Sequence, residues 1–156
     1  MHNGDRRWLG VLLCVLLTCL IAPAAALALS TSYKGKTSQG KRVTIKIVRG
    51  KVRQKPSEIH WRARCTFNGK ATAPISGWTD FGGELKNGGF ATSGKYTSYP
   101  GGPTKELNTA SVRFTVSGNT VTGSFSLRAR IYYEGTTPPR LTARCHTGKI
   151  TFSATS

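Results

Sequence analysis

Apolar and polar residues alternate along several stretches of the chain, most regularly in the run EIHWRARCTF at positions 58–67. A period of two residues predicts a β-strand with one buried face and one solvated face. The residues predicted to face inward are Ile59, Trp61, Ala63, Cys65 and Phe67. The residues predicted to face outward are His60, Arg62, Arg64 and Thr66. The solvated face of this strand is therefore polar and basic.

Similar stretches recur between turn-forming residues. The predicted elements are a hairpin over 42–54 turning at 49–51, the strand 58–67, a turn over 67–74 that contains Asn68-Gly69, a short strand before a glycine-rich turn at 81–89, a strand around 90–96, a hairpin over 110–133 turning at 117–119, and a closing strand over 141–154, or two strands broken near Gly148. Loops are expected at 99–106 and 134–140. Short strands at this spacing predict an all-β fold, an antiparallel β-sandwich that is jelly-roll-like or similar.

The first 28 residues have the pattern of a secretory signal peptide. Two arginines precede a long apolar stretch, which ends in small residues. Cleavage is predicted after Ala28, with Ala26 or Ala24 as alternative sites. The remainder, residues 29–156, is predicted to be one secreted or periplasmic domain, with no further apolar segment to anchor it in a membrane.

Three other interpretations of the N-terminal segment are open. The apolar stretch is close to the lower length limit of a transmembrane helix, roughly 17 residues. Cys19 would be the modified residue of a lipoprotein. Arg6-Arg7 forms a twin-arginine pair, although the rest of that motif is missing. The small residues at the end of the apolar stretch favour cleavage by signal peptidase and the general secretion route.

Two cysteines, Cys65 and Cys145, follow the predicted signal peptide. In an exported chain such a pair predicts a disulfide. The bridge would close a loop of about 80 residues, for which the chain-entropy estimate is about 4.5 kcal/mol of stabilisation. The alternative is two buried free thiols.

The chain is strongly basic, with 23 Lys and Arg residues against 6 Asp and Glu. Without Arg6, Arg7 and Asp5, the predicted domain keeps 21 basic and 5 acidic residues, a net charge of +16. A magnitude of about 2–8 suffices for the solubility of a small domain. The excess predicts an anionic polymer as partner, and the candidates are a cell-wall polymer, lipopolysaccharide, nucleic acid or an acidic glycan. The alternative is that the charge serves solubility alone.

The outward positions of three predicted strands are rich in arginine. A Cys65–Cys145 bridge would bring two of these strands together, and the long strand after residue 120 could share their sheet. The residues predicted to bind ligand are Arg62, Arg64, Arg128, Arg130, Arg144 and Tyr132, with His60 and His146 interleaved. Arginine suits this role because its guanidinium group binds phosphate or carboxylate through two parallel hydrogen bonds. The alternative is an ordinary solvated face, whose charges discourage edge-to-edge association.

No catalytic residues, metal site or cofactor are predicted. The acidic residues of the predicted domain are not paired at a spacing that suggests acid–base catalysis. The sequence contains neither a nucleophilic-serine motif nor a phosphate-binding loop. The histidines and cysteines have opposite parity on their strands, which separates the residues that could bind zinc.

The tryptophans suggest carbohydrate binding as a further possibility, together with Phe81. Trp61 has inward parity and is expected to pack in the core. Trp78 lies in the loop-like segment SGWTDFGG, with Asp80 two residues later, a pairing that could bind a glycan. A buried loop anchor is the commoner role of such a tryptophan and is the expected one.

Three segments together resemble a known group of proteins. They are YKGKTSQGKRVTIKI (33–47), LKNGGFATSGKY (85–96) and ARCHTGKITFSA (143–154). They are similar to small exported bacterial β-rich proteins of uncharacterised function, which share a Gly-x-Thr-Ser-Gln-Gly motif, a central Gly-Phe segment and a late Cys-x-x-Gly. The resemblance implies export, a β-rich fold and a single disulfide, and it implies no catalytic or ligand-binding residues.

These features predict a non-catalytic exported binding module for anionic polymers at the cell envelope or outside the cell. One alternative is a secreted structural or protein-interaction domain without a polyanion ligand, which an arginine-free apolar patch would favour. Another is a small enzyme, which a deep pocket holding Asp80 or Glu84 beside a histidine would favour.

Overall fold

The computed structural model describes residues 30–156, and the predicted signal peptide lies outside this range. The regular elements of these residues are eleven β-strands. In chain order they are β1 (Ser30–Thr37), β2 (Arg42–Val48), β3 (Lys51–Val52), β4 (Glu58–Phe67), β5 (Lys70–Asp80), β6 (Gly83–Glu84), β7 (Gly89–Gly101), β8 (Thr104–Ser117), β9 (Thr120–Tyr133), β10 (Arg140–His146) and β11 (Ile150–Thr155). Among residues 30–156 there is no helix of the length and apolarity that crossing a membrane requires.

The strands form one antiparallel sheet that curls round and closes on itself. β8 pairs with β7 on one edge and with β9 on the other. β10 and β11 lie end to end along the second edge of β9. The sheet continues from β10 to β4 and β5, and from β11 to β1, β2, β3 and β6. Because β2 also pairs with β4, the strands β9, β11, β1, β2, β4 and β10 form a closed ring. The predicted all-β antiparallel class is confirmed.

Tight hairpins connect β2 to β3 and β4 to β5. Arg49 and Gly50 have φ angles of 49° and 72°, and Asn68 and Gly69 have φ angles of 49° and 76°. Positive φ at both central residues is the geometry of a type I′ turn, whose twist matches that of the paired strands. Both turns were expected at these positions, and β4 spans the predicted residues 58–67.

The core lies inside the curled sheet and is built from the inward positions of its strands. Its largest fully buried apolar side chains are Val43, Ile45, Ile59, Val121, Phe125, Leu127 and Ile150. Three further buried rings, Phe90, Phe114 and Phe152, form a row across β7, β8 and β11. Phe90 stacks on Phe114 with centroids 4.9 Å apart, and Phe114 meets Phe152 edge to face at 6.4 Å. The side chains of Phe114 and Phe152 cover Gly123 of β9, which has no side chain of its own to fill this part of the core.

The predicted disulfide joins β4 to β10. Cys65 and Cys145 are directly opposite each other in the antiparallel pairing, their Cα atoms are 4.0 Å apart, and both are buried. Successive side chains of a strand point to opposite faces, and the chain neighbours of both cysteines are exposed. The bridge therefore fixes the register of two strands that carry arginine on their outer face.

The alternation of the sequence does not predict the first strand, β1, because most positions of this strand are polar. Tyr33 and Thr37 are its two buried side chains. Backbone pairing on both edges, with β2 and with β11, holds the strand in place. Gly35 permits the close approach to β11, because a Cβ atom there would collide with the backbone of Ser153 and Ala154.

The turn predicted over 67–74 is wrong in its second half, where β5 has already begun. Pro74 has no amide hydrogen for a ladder bond, and proline is tolerated in a strand mainly at edges and irregularities. Both conditions hold here: β5 is an edge strand, and its pairing with β4 shifts register between Thr72 and Ile75. The strand therefore continues past the proline.

The loop predicted over 99–106 is also shorter than expected. β7 and β8 form a long hairpin, and their ladder is interrupted only between Ser98 and Gly101 before Gly101 pairs with Thr104. Gly101 and Gly102 have φ angles of 128° and 58°, which allow a narrow tip.

Candidate functional site

Strand register places arginines from three neighbouring strands in two adjacent rows. The strands β4, β10 and β9 follow one another in the sheet. In one row Arg64, His146 and Arg128 are paired across the three strands, and in the next row Arg144 is directly opposite Arg130. All five side chains are exposed. They are called here the basic face.

A groove indents the basic face where β10 ends and β11 begins. Residues 147–149 leave the ladder between the two strands, and Gly148 has a φ of 67°. Thr147 replaces ladder contacts to Leu127: its backbone N–H donates to the Leu127 carbonyl (3.0 Å), and its hydroxyl accepts from the Leu127 N–H (2.9 Å). The backbone groups are thus satisfied, and an open groove of about 670 Å³ remains.

The groove is lined by basic and uncharged residues and by no carboxylate. Its lining residues are Thr66, Ser126, Leu127, Arg128, Ala129, Arg130, Arg144, Cys145, His146, Gly148 and Lys149. Within residues 30–156 no salt bridge includes any of its three arginines or its lysine. The protein itself therefore leaves these four charges uncompensated.

Most acidic residues are engaged elsewhere. The ion pairs are Glu58 with Arg42 and His60, Glu84 with Lys51, and Glu134 with Lys105, at N–O distances of 2.7–3.4 Å. Glu106 accepts a hydrogen bond from the Ser98 hydroxyl at 2.8 Å. Surface pairs of this kind contribute little to stability. Their consequence here is that the negative charge of the domain is separated from the groove.

Three of the predicted ligand-binding residues do not line the groove: Arg64, which stays on the basic face, Arg62 and Tyr132. Arg62 is exposed one row beyond Arg64 on β4, where β10 no longer runs alongside. The Gln39 side chain takes the place of the missing strand: its Oε1 accepts from the Arg62 N–H (2.9 Å) and its Nε2 donates to the Arg62 carbonyl (2.8 Å). Tyr132 is partly buried near the end of β9, opposite Leu141.

Lys149 lines the groove, but it was not among the ligand-binding residues predicted from the sequence. It follows the break at Gly148, and the alternation of inward and outward positions starts anew after such a break. Parity therefore could not assign Lys149 to the basic face. The break itself was the available signal, because a glycine with positive φ interrupts a strand.

Trp78 differs from its expected role as a buried loop anchor. It lies on β5, and its side chain is 61% exposed. Its partner across the ladder is His60, with ring centroids 6.4 Å apart. Trp61 is buried as predicted, and its indole N–H donates to the Thr79 hydroxyl at 3.0 Å.

A hydrogen-bonded cluster lies beside Trp78 and consists of Arg42, Glu58 and His60. Arg42 Nη2 is 2.7 Å from Glu58 Oε1 and 3.1 Å from His60 Nε2, and His60 Nε2 is 3.0 Å from the same carboxylate oxygen. The hydrogen bond with His60 is the largest influence, and it lowers the pKa of the Glu58 carboxyl below its ordinary value of 4.5. The hydrogen bond from Arg42 acts in the same direction, and desolvation opposes both.

Replacing Glu58 by glutamine is expected to remove a small acid-sensitive part of the stability. A carboxyl whose pKa is lowered by folding stabilises the fold above its unfolded-state pKa, and this stabilisation is lost as the pH falls through the folded-state value. For a surface cluster the effect is below about 1 kcal/mol. Urea denaturation should show Glu58→Gln less stable than wild type at pH 7 and equal to it once the pH lies below the folded-state pKa of Glu58. Glu84→Gln, which removes an exposed pair, is the control, and an equal loss in both variants would contradict a special role for the cluster.

Two other cavities each include a carboxyl group. An open groove of about 830 Å³ is lined by Phe90, Phe114 and Phe152 and also by Glu84. A cavity of about 240 Å³ between β5 and β7 includes Asp80. No histidine lines either of them. In the described part of the chain no group of three or more His, Cys, Asp or Glu residues could hold a metal ion.

Comparisons with protein-family models, with curated proteins and with solved structures found no match. The candidate site is therefore judged from its own residues and geometry.

Proposed function

We propose that this chain is a non-catalytic, exported binding module for anionic polymers at the cell envelope or outside the cell. The observation that carries the proposal is the groove between β9 and β10, which is lined by three arginines and a lysine and by no carboxylate. Because none of these groups has a salt-bridge partner within residues 30–156, a bound anion would supply the missing opposite charge.

The arrangement of the arginines favours binding over a purely structural role. Arg144 and Arg130 are directly opposite each other on adjacent strands. Like charges in such positions destabilise a sheet, by an amount comparable to the roughly 0.2–1 kcal/mol that favourable pairs contribute. A solvated face with mixed charges would keep the domain soluble without this repulsion. An anion bound between the two side chains turns the repulsion into attraction.

A polymer uses the basic face more fully than a single small anion does. The cationic side chains are distributed over three strands, about 4.8 Å apart across the sheet. Each guanidinium group can bind a phosphate, sulfate or carboxylate with two hydrogen bonds. Several charged groups bound at once release several counterions, so the affinity is expected to fall steeply as salt increases.

The disulfide supports export. Bonds of this kind persist in oxidising compartments and are rare where glutathione keeps thiols reduced. The Cys65–Cys145 bond joins two strands of the basic face itself. The candidate site therefore needs an oxidising compartment, in which the bond can form.

The test is a binding titration of the purified, disulfide-bonded protein with inorganic polyphosphate and with a single-stranded oligothymidylate over a salt series. The variant combines Arg128→Ser, Arg130→Ser and Arg144→Ser. The slope of log affinity against log salt is expected to fall in magnitude by about 2, since about 0.7 counterions are released per neutralised phosphate of a single strand. At about 0.15 M salt the affinity is expected to fall at least tenfold.

A matched control combines Lys34→Ser, Arg53→Ser and Lys55→Ser, three exposed residues outside the basic face. It lowers the net charge by the same amount. If it weakens binding as much as the arginine variant does, net charge alone explains the affinity and the basic face is not a site. If the wild type binds neither probe at low salt, the proposed function is wrong.

A further inference from the structure

Trp78 projects into solvent from the outer surface of the sheet. On β5 the side chains at even positions, Ser76 and Trp78, are exposed. The odd positions face inward: a Cβ atom at Gly77 would lie 3.0 Å from the Trp61 ring, and the Thr79 hydroxyl accepts the Trp61 indole hydrogen bond. The outer surface of β5 adjoins that of β4, which carries Arg62 and Arg64. Trp78 and the basic face therefore share one surface.

The pairing of β4 with β5 places different charges on the two sides of Trp78. The paired positions are Trp78 with His60, Asp80 with Glu58, and Ser76 with Arg62. Two residues along a strand are about 6.7 Å apart. The row next to Trp78 on one side thus carries two carboxyl groups, and the row on the other side carries a guanidinium group. His60 lies beside the indole, with the two rings tilted by 32°, and 61% of Trp78 stays exposed.

We propose that Trp78 is a ring-binding subsite of the basic face and that the polymer is an acidic glycan. The inference rests on the proposed function and names the class of its polymer. An uncharged sugar ring packs its C–H face on the indole, and the ionised groups of the polymer bind the arginines. Glu58, Asp80 and His60 offer hydrogen-bond partners to the sugar hydroxyls, which can both donate and accept.

The Asp80 carboxyl group beside the indole favours a glycan over a single-stranded nucleic acid. A base stacked on Trp78 would bring its own phosphates close to Asp80, and bringing like charges together in an interface is unfavourable. Asp80 forms no salt bridge with any residue of the described range, so no cation of the protein masks it. A sugar hydroxyl, in contrast, can donate to the same carboxylate.

The subsite is continuous with the groove through β4. From His60, the partner of Trp78, to Arg64 is four residues, or about 13 Å along the strand. From Arg64 to Arg128 is two strand spacings, or about 10 Å across the sheet. Arg62 lies between the subsite and Arg64. A glycan of a few sugar units can therefore contact the indole and the groove at the same time.

The test compares three probes: an oligosaccharide of hyaluronan, in which ionised and uncharged sugar rings alternate, and inorganic polyphosphate and oligothymidylate with the same number of charges. Trp78→Ala is expected to weaken hyaluronan binding about tenfold, the effect typical of losing one stacking aromatic. Polyphosphate has no rings, so its affinity is expected to change less than twofold. Tyr99→Ala is the matched control, because Tyr99 is 65% exposed on the β7–β8 hairpin, and it is expected to change neither affinity.

Two further variants sharpen the test. Trp78→Phe keeps a flat ring and is expected to retain most of the hyaluronan affinity. Asp80→Asn removes a charge that repels phosphate, so it is expected to strengthen oligothymidylate binding more than hyaluronan binding.

The outcomes separate the two proposals. If Trp78→Ala leaves hyaluronan binding unchanged while the triple arginine variant weakens it, the subsite is wrong and the basic face stands. If Trp78→Ala weakens oligothymidylate binding at least as much as hyaluronan binding, or if hyaluronan fails to bind where polyphosphate does, the glycan assignment is overturned. If no probe binds the wild type at low salt, the proposed function fails as well.

Discussion

Replacing Cys65 and Cys145 together by alanine is expected to lower the free energy of unfolding by about 4.5 kcal/mol. The bond joins residues that are 80 positions apart, and removing it returns a large loop-closure entropy to the unfolded chain. It also supports the junction of β4 with β10, which consists of three residue pairs. Urea denaturation followed by tryptophan fluorescence measures the change as a lower midpoint, and the slope is expected to rise because the unfolded chain without the cross-link is less compact.

Wild-type protein unfolded in the presence of a reductant provides the control. It loses the same cross-link without a change of sequence, so its stability is expected to match that of the double variant within about 1 kcal/mol. The reduced protein is also expected to bind polyphosphate more weakly, because β4 and β10 carry three of the five residues of the basic face. A destabilisation below about 1 kcal/mol would show that other contacts fix the β4–β10 junction and would contradict the assigned role of the bond.

Replacing Gly35 by alanine is expected to lower the free energy of unfolding by at least about 2 kcal/mol. At this point β1 and β11 approach so closely that a Cβ atom would overlap the Ser153 carbonyl and the Ala154 Cα atom. Overlap with a flexible side chain can relax, but these are backbone atoms of a paired strand. The methyl group therefore has to push β1 away from β11 and break ladder hydrogen bonds. Thermal and urea denaturation both measure the loss.

Gly94→Ala is the matched control for this prediction. Gly94 lies in strand β7, has no positive φ, and a Cβ atom there would meet nothing within 4 Å. The same chemical change is therefore expected to be neutral or to stabilise by up to about 1 kcal/mol through the unfolded state. If the two variants were equally unstable, the close approach of β1 to β11 would not be the cause.

Local sequence pattern accounts for much of the fold and for the outward placement of the arginines. The alternation over residues 58–67 is uninterrupted, and β4 has these bounds. The turn at Asn68-Gly69 follows from two residue types that tolerate positive φ. The disulfide follows from two cysteines in an exported pattern, and their inward parity places the neighbouring residues outside.

Strand order and register could not be predicted, because contacts between distant segments determine them. Alternation says that Arg130 and Arg144 face outward, but it does not place them opposite each other, and a slip by one residue would reverse every face. The exposure of Trp78 could not be predicted for a different reason. Pro74 and Gly77 are uncommon in strands, so they made a loop the expected structure where an irregular edge strand is found.

The closed ring also sets the order in which the chain can fold. Its closure needs β1 to pair with β11, as in Lys34 with Thr155, and β4 to meet β10 across the 80 positions between its cysteines. Pairings between such distant segments give a high contact order, which slows folding. A chain still emerging from the ribosome lacks the strand that closes the ring and stays open. Late closure makes the docking of β1 onto β11 the expected slow step.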